Sequence, residues 1–373
     1  MIQLDQVVLR EIHLPLREPF RISSGSVLHR RILLLELQDR SGAIGWSECV
    51  APERPNYSPE TIDTAWLMLR DWVLPLALGT RIEDPARVHT LFEGPVRGHP
   101  MAKAAVEMGI WELAARQAGI SLSRLLGGTR DRVDVGISLG IQESPEALIE
   151  RAQTALARGY RKIKLKVGPG EDYEYVAGVR DALGPDAPLM VDANSAYTLA
   201  DADGLARLDE LDLMMIEQPL DRTDLVRHAR LQARLRTPIC LDESIDCVDR
   251  AEDMLELGSG RIVNVKPGRV GGFAPALAIH DLCERAGIPV WCGGMLESGI
   301  GRAHNVALAS LGNFQLPGDL SPSDRYWKRD IVEPEWTMDA EGRVQVPLDR
   351  PGMGVEVDRA RIEELMVREE VVR

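Results

Sequence analysis

Five charged residues in the middle of the chain recur at nearly equal intervals, and each closes a short apolar run. They are Lys166, Asp192, Glu217, Asp242 and Lys266, and successive members lie 26, 25, 25 and 24 residues apart. Amines can transfer protons, and carboxylates bind hard divalent cations. If folding brings these side chains together, the set is suited to removing a proton from a carbon acid beside a metal ion.

The three acids, Asp192, Glu217 and Asp242, are predicted metal ligands. Carboxylates that converge in a poorly solvated pocket repel one another strongly unless a cation lies between them. No histidine or cysteine shares their spacing, so the predicted ligands are oxygen atoms alone. Such a set favours Mg²⁺, admits Mn²⁺ as a substitute and disfavours Zn²⁺.

The two outer lysines, Lys166 and Lys266, are candidates for proton transfer, and Lys164 is a neighbour of Lys166. A lysine beside a divalent cation or a second ammonium group is expected to have a pKa below its reference value of about 10.4. We therefore expect a neutral lysine to remove a proton next to a substrate carboxylate, while the metal offsets the charge of the enediolate. One charge at a strand end is more often a rim or cap group, but five in this order disfavour a purely structural role.

The intervals between these charges fit one strand plus one crossover helix, which is the repeat of a parallel α/β sheet. Apolar and charged residues alternate before each charge, as in a strand with one buried face. The same pattern at 133–139, which includes Ser138, and at 289–293 and 313–319 raises the strand candidates to eight. Segments such as Ser144–Gly159 have helical spacing. The sequence therefore predicts an α/β fold with a (β/α)₈ barrel, whose active site lies at the C-terminal strand ends.

Residues 1–130 follow a different pattern and are predicted to form an α+β capping domain. The chain has 373 residues, whereas one barrel needs roughly 250. Predicted strands and helices of the cap are strands at 4–14, 32–37 and 43–48 and helices from Ser58, from Asp84 and over 101–117. Its loops 19–25 and 51–57 are candidates to close over the barrel mouth. The barrel is expected to span 131–320, and residues 321–373 are expected to return to the cap.

Composition limits the partners of the chain. A formal net charge of −14 and a pI near 5.1 disfavour nucleic acid and anionic membranes. The five cysteines include no CxxC pair, which is typical of reduced thiols in a cytoplasmic protein. No signal-peptide pattern and no apolar run of about 18 residues is present. We expect a cytoplasmic homo-oligomer that acts on a small molecule.

The order Lys-x-Lys, Asp, Glu, Asp, Lys on strands two to six, behind an α+β cap, resembles the enolase superfamily in its muconate-lactonizing-enzyme-like subgroup. The resemblance covers the whole chain. It implies that Lys166 and Lys266 are the acid/base lysines, that the three acids bind Mg²⁺, and that Lys164 acts electrostatically on Lys166. Mandelate-racemase-like members carry a histidine base on the seventh strand, where this chain has 291–294, Trp-Cys-Gly-Gly.

Motifs near the C-terminus are similar to the o-succinylbenzoate synthase / N-succinylamino acid racemase group. They are the segments 293–302, 316–327 and 351–355. This resemblance implies dehydration to o-succinylbenzoate in menaquinone biosynthesis, racemisation of N-succinylamino acids, or both, on a carboxylate substrate with a succinyl arm. By the same resemblance, the substrate pocket is expected to include Ser138, Asn194, Gly294, Met295, Leu296 and Tyr326, with Phe20 and Tyr57 from the cap.

Three alternatives remain open. Dipeptide epimerases show an Asp-x-Asp pair at the eighth strand that holds the substrate ammonium group, whereas here Asp319 is followed by Leu320 and Ser321. A muconate-lactonizing-like cycloisomerase would show a different eighth strand. A barrel that binds an anionic metabolite without catalysis gains no evident benefit from two lysines with depressed pKa values.

Overall fold

The computed structural model describes residues 1–18, 28–140, 142–170 and 172–373, together with the strand backbone at 19–22 and 25–27. The strands, in chain order, are β1 (Leu4–Ile22), β2 (Gly25–Asp39), β3 (Ile44–Cys49), β4 (Arg132–Asp134), β5 (Gly136–Leu139), β6 (Lys162–Lys166), β7 (Leu189–Asp192), β8 (Ile216–Glu217), β9 (Ile239–Leu241), β10 (Ile262–Val265), β11 (Val290–Cys292), β12 (Val332–Glu333), β13 (Arg343–Gln345), β14 (Glu356–Val357) and β15 (Met366–Val372).

The α-helices are α1 (Ile62–Met68), α2 (Leu74–Ala77), α3 (Val88–Glu93), α4 (Pro100–Ala118), α5 (Leu122–Leu126), α6 (Pro145–Ala157), α7 (Asp172–Leu183), α8 (Ala202–Arg207), α9 (Leu225–Gln232), α10 (Val248–Leu257), α11 (Pro267–Val270), α12 (Phe273–Arg285), α13 (Gly299–Ala309) and α14 (Arg359–Leu365). A π-helical turn spans Leu69–Val73, and 3₁₀ turns span Pro85–Arg87, Leu199–Asp201, Leu208–Leu211 and Ser323–Arg325. Across the described residues, no helix combines the length and apolarity needed to span a membrane.

Strands β5 to β11 form one parallel sheet in chain order, with helices between successive strands, so the predicted barrel architecture is confirmed. Pairing in register places Lys166 beside Asp192 and Asp192 beside Glu217. Inside the barrel, alternate residues of these strands form an apolar cluster of Met190, Met215, Cys240, Ile262 and Trp291. Because side chains alternate along a strand, the residue two positions after Met190, Met215 or Cys240 points to the same interior.

The prediction of an eighth regular strand at 313–319 is wrong in detail. This segment closes the sheet through single parallel bridges, Phe314 to Val290 and Gly318 to Val135. The amide of Asp319 also donates to the Cys292 carbonyl at 2.9 Å. Pro317 lacks a backbone donor, which interrupts a continuous ladder. The first predicted strand is likewise divided, since β4 pairs antiparallel with β13 and only β5 joins the barrel.

The cap is an antiparallel sheet of order β15-β1-β2-β3, with α1 to α4 packed against it. Its predicted strands are confirmed, but β1 extends to Ile22, so part of the predicted loop 19–25 is strand. The first cap helix begins at Ile62 with Thr61 as its N-cap rather than at Ser58. The reason is that the Glu60 carboxylate instead accepts hydrogen bonds from the amides of Met101 and Ala102. The C-terminal strand β15 returns to pair with β1.

Two buried carboxylates of the cap bind the N-termini of barrel helices and so fix the cap on the barrel. Glu48 accepts from the amide and hydroxyl of Ser298, at 3.0 and 2.7 Å, and from the amide of Gly301 at 3.2 Å. Glu107 accepts from the amides of Phe273 and Ala274 at 2.7 and 2.9 Å. Helix N-termini leave amides unsatisfied, and carboxylates satisfy them well.

The Glu48 carboxylate gives a prediction about stability and pH. Burial raises its pKa to about 7 from 4.5, despite the hydrogen bonds from Ser298. The unfolded chain therefore loses this proton first, and stability is lost as pH rises from about 4.5 to 7 and stays lost above 7. All three bonds to Glu48 use Oε2, and Oε1 has no hydrogen-bond partner. We expect Glu48→Gln to keep these bonds and to be more stable relative to the wild type at pH 8 than at pH 5, by about 1–3 kcal/mol.

Urea unfolding at pH 5 and pH 8 measures this difference. The matched control is Glu107→Gln, because both Glu107 oxygens accept hydrogen bonds. Burial raises the pKa of Glu107 to about 7 as well, but a glutamine there presents an N–H to a donor. Glu107→Gln should therefore be less stable than Glu48→Gln by about 1–3 kcal/mol at both pH values. If Glu48→Gln changed the free energy of unfolding by the same amount at both pH values, the buried charge of Glu48 would not be the cause of the change.

Candidate active site

The five charged residues predicted to act together do meet at one rim of the barrel. Lys166, Asp192 and Glu217 are the last residues of β6, β7 and β8. Asp242 and Lys266 directly follow β9 and β10. The side chains of the three acids are at most 2% exposed, so their charges must be offset by neighbouring groups.

On one side of the rim, Lys166 binds the first carboxylate. Its Nζ lies 2.6 Å from Asp192 Oδ2 and 2.6 Å from Asn194 Oδ1. The Asn194 amide in turn donates to Glu243 Oε1 at 3.0 Å. Asn194, predicted to bind substrate, thus orients Lys166 in this structure, and its backbone takes a positive φ of 43°. That conformation is uncommon outside glycine and most accessible to asparagine.

On the other side, Lys266 binds the third carboxylate. Its Nζ lies 2.8 Å from Asp242 Oδ2 and 3.2 Å from the Tyr57 hydroxyl. The same ammonium lies 4.6 Å from the centre of the Tyr57 ring, within cation–π range. Tyr57 also donates to Asp242 Oδ1 at 3.0 Å. The predicted loop 51–57 therefore reaches over the barrel rim, and its tyrosine contacts both groups.

Between these two sides, Glu217 is held by Lys164 and Asn264. Lys164 Nζ lies 3.1 Å from Glu217 Oε2 and 3.6 Å from Asp192 Oδ2. Asn264 donates from Nδ2 to Glu217 Oε1 at 2.6 Å. The three acids thus share cationic and amide partners, and Lys164 bridges the first and second.

Electrostatics at the rim are dominated by burial and by these pairs. Burial, with the charge of Asp192 adding to it, raises the pKa of Glu217 to about 7. Burial also tends to raise the pKa of Asp242, but Lys266 and Arg269 outweigh it and the pKa falls to about 2. Asp192 has a lowered pKa because Lys166 and Lys164 outweigh its burial.

The depression of a lysine pKa that is expected beside a divalent cation stays a prediction, and the protein groups alone shift the pKa of Lys266 in the opposite direction. Burial lowers its pKa, but the adjacent Asp242 outweighs burial and the net pKa is raised. The pKa of Lys164 is likewise raised, because Asp319 and Glu217 outweigh its burial. A lysine in this site therefore becomes a general base at neutral pH only where the charge of its carboxylate partner is directed elsewhere.

A cavity of about 270 Å³ lies between the cap loop and the rim. Its walls include Tyr57 from the cap and Asn194, Ser195, Arg222 and Glu243 from the barrel. It adjoins the residues that hold Lys166 and Lys266, and it is the size of a small organic molecule's site.

The other predicted pocket residues are placed as follows. Ser138 is buried and pairs in register with Lys164. Gly294 leaves space that a Cβ would fill, 2.8 Å from the Asp319 carbonyl. Met295 packs against the cap core and Leu296 against the barrel core. Tyr326 is buried, with its carbonyl bound to the Arg17 amide at 2.7 Å, and the side chain of Phe20 lies outside the described residues. Their roles toward substrate stay predictions.

Several residues of the rim were not predicted from sequence. Arg269, one turn after Lys266, pairs with Asp242, and Asn264, two residues before Lys266, binds Glu217. Asn264 could have been found, because it shares the inward face of β10 with Lys266. Asp319 was considered as a ligand for a substrate ammonium group, but it lies 2.6 Å from Lys164 and 3.2 Å from Lys162. Its negative charge is therefore already paired with two lysine ammonium groups of the chain.

Comparison with known proteins agrees with this geometry. Residues 5–127 match the model of the mandelate racemase / muconate lactonizing enzyme N-terminal domain, and residues 147–361 match the enolase C-terminal domain-like model. The chain therefore belongs to the enolase superfamily, in its mandelate racemase / muconate lactonizing enzyme branch. Within that branch it is 49% identical to o-succinylbenzoate synthase of Geobacillus stearothermophilus, over 97% of this chain and 96% of the relative. It is 47% identical to N-succinylamino acid racemase of Amycolatopsis sp, over 95% of both chains.

Solved structures show the same fold. An enolase superfamily member from Listeria innocua superposes with a TM-score of 0.96 at 39% identity, covering 100% of this chain and 99% of that one. A dipeptide epimerase from Cytophaga hutchinsonii, solved with Mg and the dipeptide D-Ala-L-Val, gives a TM-score of 0.92 at 26% identity, with both chains fully covered.

The pairing at the rim predicts how Asp242 contributes to stability. Asp242→Asn leaves the ammonium of Lys266 and the guanidinium of Arg269 buried without their shared counter-charge. We expect this change to lower the unfolding free energy by about 3–5 kcal/mol, measured by urea unfolding in buffer with EDTA. The control is Asp221→Asn, an exposed acid of the cavity wall whose Oδ1 binds Thr223 and which pairs with neither cation. Equal stability of Asp242→Asn and wild type would show that Asp242 is not the group that offsets the two cations.

Proposed function

We propose that this enzyme abstracts the proton α to a carboxylate with the help of Mg²⁺, and that it acts as an o-succinylbenzoate synthase, an N-succinylamino acid racemase, or both. The observation that carries the proposal is the pair Lys166 and Lys266, on strands that flank three buried carboxylates. Full-length similarity to relatives with these two names at 49% and 47% identity supports the same conclusion.

The three strand-end acids fit a hard divalent cation by the chemistry of their donors. Asp192, Glu217 and Asp242 are buried together, and the repulsion that Glu217 feels from Asp192 contributes to its raised pKa. Oxygen-only donors suit Mg²⁺, with Mn²⁺ as a substitute. When bound, Mg²⁺ would supply positive charge to the substrate carboxylate as the α-carbon loses its proton.

Lys166 and Lys266 contact Asp192 Oδ2 and Asp242 Oδ2, on two of the carboxylates that would hold a divalent cation. If Asp242 shared its charge with a cation, Lys266 would lose part of the attraction that raises its pKa. The site would then favour the neutral form of this base. Among the described residues, His280, Asp281 and Glu284 on helix α12 have ligand atoms within 4.8 Å of one another, whereas the three rim acids are not that close together. Two of these three residues are exposed, and the cluster lies outside the rim.

Racemisation follows from two lysines that address opposite faces of the α-carbon. One neutral amine takes the α-proton, and the electron pair of the C–H bond moves into the carboxylate to give an enediolate. The ammonium group of the other lysine then returns a proton to the opposite face.

Dehydration uses the same first step. Lys166 takes the α-proton, the neighbouring C–O bond breaks to form the double bond, and the Lys166 ammonium returns its proton to the departing hydroxide as water. Lys266 stabilises the enediolate by its positive charge. Both substrate classes carry a succinyl arm, and the cavity beneath Tyr57 offers it space.

Other readings have less support. A dipeptide epimerase requires a free acid for the substrate ammonium group, and Asp319 is paired with two lysines. A muconate-type cycloisomerase would show a different eighth strand, and binding without catalysis gains no evident benefit from both rim lysines. We further propose that the enzyme is a cytoplasmic homo-oligomer without nucleic-acid or membrane partners, divided near residues 130 and 320 into cap, barrel and returning C-terminal segment.

Proton NMR in D₂O tests the proposed function. The enzyme with Mg²⁺ is offered N-succinyl-phenylalanine in one tube and the o-succinylbenzoate precursor in another. We expect loss of the α-proton signal in the first and formation of o-succinylbenzoate in the second, both abolished by EDTA and restored by Mg²⁺. Exchange without dehydration would indicate a dedicated racemase, and silence in both tubes would overturn the proposal.

A lysine variant tests the two-base mechanism. Lys266→Ala should abolish racemisation, because the second face of the α-carbon loses its proton donor, while Mg²⁺ affinity measured by calorimetry stays largely intact. The conservative control Lys103→Arg changes a lysine on cap helix α4 and should racemise at the wild-type rate. Wild-type racemisation by Lys266→Ala would show that the two-base mechanism is wrong.

A further inference from the structure

Strand β6 carries a third lysine, Lys162, deeper in the barrel than Lys164 and Lys166. Lys162, Lys164 and Lys166 alternate along the strand, so all three side chains point into the barrel. The side chain of Lys162 is fully buried, and its Nζ lies 3.3 Å from the centre of the Trp291 ring. A buried ammonium group is costly and needs a counter-charge, so its position calls for an explanation.

The counter-charge is Asp319, in the segment that closes the barrel. Lys162 Nζ lies 3.2 Å from Asp319 Oδ1, and Lys164 Nζ lies 2.6 Å from Asp319 Oδ2. Each carboxylate oxygen of Asp319 thus contacts one of the two lysines. Asp319 itself is held by its backbone, because its amide donates to the Cys292 carbonyl and its carbonyl accepts from Arg302. These backbone hydrogen bonds therefore hold the Asp319 carboxylate in a fixed position.

These contacts continue to the catalytic rim. Lys164 Nζ lies 3.6 Å from Asp192 Oδ2, the same oxygen that Lys166 Nζ approaches at 2.6 Å. Charges therefore alternate from the barrel interior to the rim in the order Lys162, Asp319, Lys164, Asp192, Lys166. Lys266 is not a member of this row among the described residues, since its contacts are Asp242 and Tyr57.

We propose that Lys162 and Asp319 are positioning residues that hold the Lys164 ammonium group beside Lys166, and that they influence proton transfer on one face of the substrate only. This inference rests on the proposed function. Without Lys162, Asp319 has Lys164 as its one cationic partner and draws it away from Asp192. Without the Asp319 charge, Lys164 is drawn toward Asp192 and Glu217 and crowds Lys166. Both changes move the Lys164 ammonium group relative to Lys166, which projects from the same face of strand β6.

The test measures deuterium uptake from D₂O separately for the two enantiomers of N-succinyl-phenylalanine by proton NMR, with Mg²⁺ present. Each enantiomer presents its α-hydrogen to one lysine, and the enantiomer that still exchanges in Lys266→Ala is the one whose proton Lys166 takes. We expect Lys162→Met and Asp319→Asn each to slow exchange of that enantiomer by about tenfold or more, because the ammonium group that lies beside the base Lys166 is displaced. The other enantiomer should change by less than about twofold, within the usual range for a distant site.

The double variant Lys162→Met/Asp319→Asn gives a second readout. Because Lys162 acts through Asp319, the double variant should be no slower than Asp319→Asn alone, which is the non-additivity expected for residues of one network. The matched control is Lys103→Met, which removes another buried lysine, 3.3 Å from Glu93 in the cap, and should leave the ratio of the two exchange rates unchanged.

The outcomes are distinct. Equal slowing of both enantiomers, or additive effects in the double variant, would overturn the positioning role and leave the proposed function standing. No exchange of either enantiomer by the wild type would overturn this inference, and the proposed function would fall with it only if no o-succinylbenzoate formed from its precursor either. Thermal unfolding accompanies each variant, and if Lys162→Met does not fold, the isosteric Asp319→Asn gives the same one-sided test.

Discussion

The structure depends on the burial of three carboxylates at one rim of a parallel barrel. Asp192, Glu217 and Asp242 stand at or just beyond the ends of neighbouring strands, where register brings them together. Buried like charges are tolerated only with compensating cations. The chain supplies these as lysines on both flanking strands. The same lysines are the groups that the proposed chemistry needs, so one set of charges contributes both to stability and to reactivity.

This constraint also explains how the cap matters to the site. The cap brings Tyr57 over the rim, where its hydroxyl and ring both contact Lys266. That position requires the cap to sit in one orientation on the barrel. Glu48 and Glu107 provide it, because each carboxylate is tied to the N-terminus of a barrel helix. The two halves of the site are thus held together by helix capping across the domain interface rather than by covalent continuity.

The two flanks of the rim are not equivalent, although both present a lysine on a carboxylate. Lys166 is oriented by Asn194 and lies beside a second ammonium group, whereas Lys266 is oriented by an aromatic hydroxyl and faces an arginine across Asp242. A racemase needs both bases, but a dehydration that begins and ends on one face needs only one as a base. An asymmetric site of this kind is compatible with both racemisation and dehydration. Differences between the surroundings of Lys166 and those of Lys266 offer a physical basis for favouring one of these activities over the other.

The sequence by itself determined the barrel and the five charged residues of the rim, because strand periodicity and parallel register are local rules that fix which residues share a face and an edge. The proposal of a hard cation rests on the same five residues. The ends of the helices and strands were less predictable. Pro317 interrupts the eighth strand, and the Glu60 carboxylate binds the N-terminus of α4 instead of lying in the first turn of α1. Only the tertiary structure decided that Asp319 is paired with Lys162 and Lys164, and that Tyr57 contacts Lys266. These contacts join segments far apart in the chain, and packing of the whole molecule, not local pattern, sets their distances.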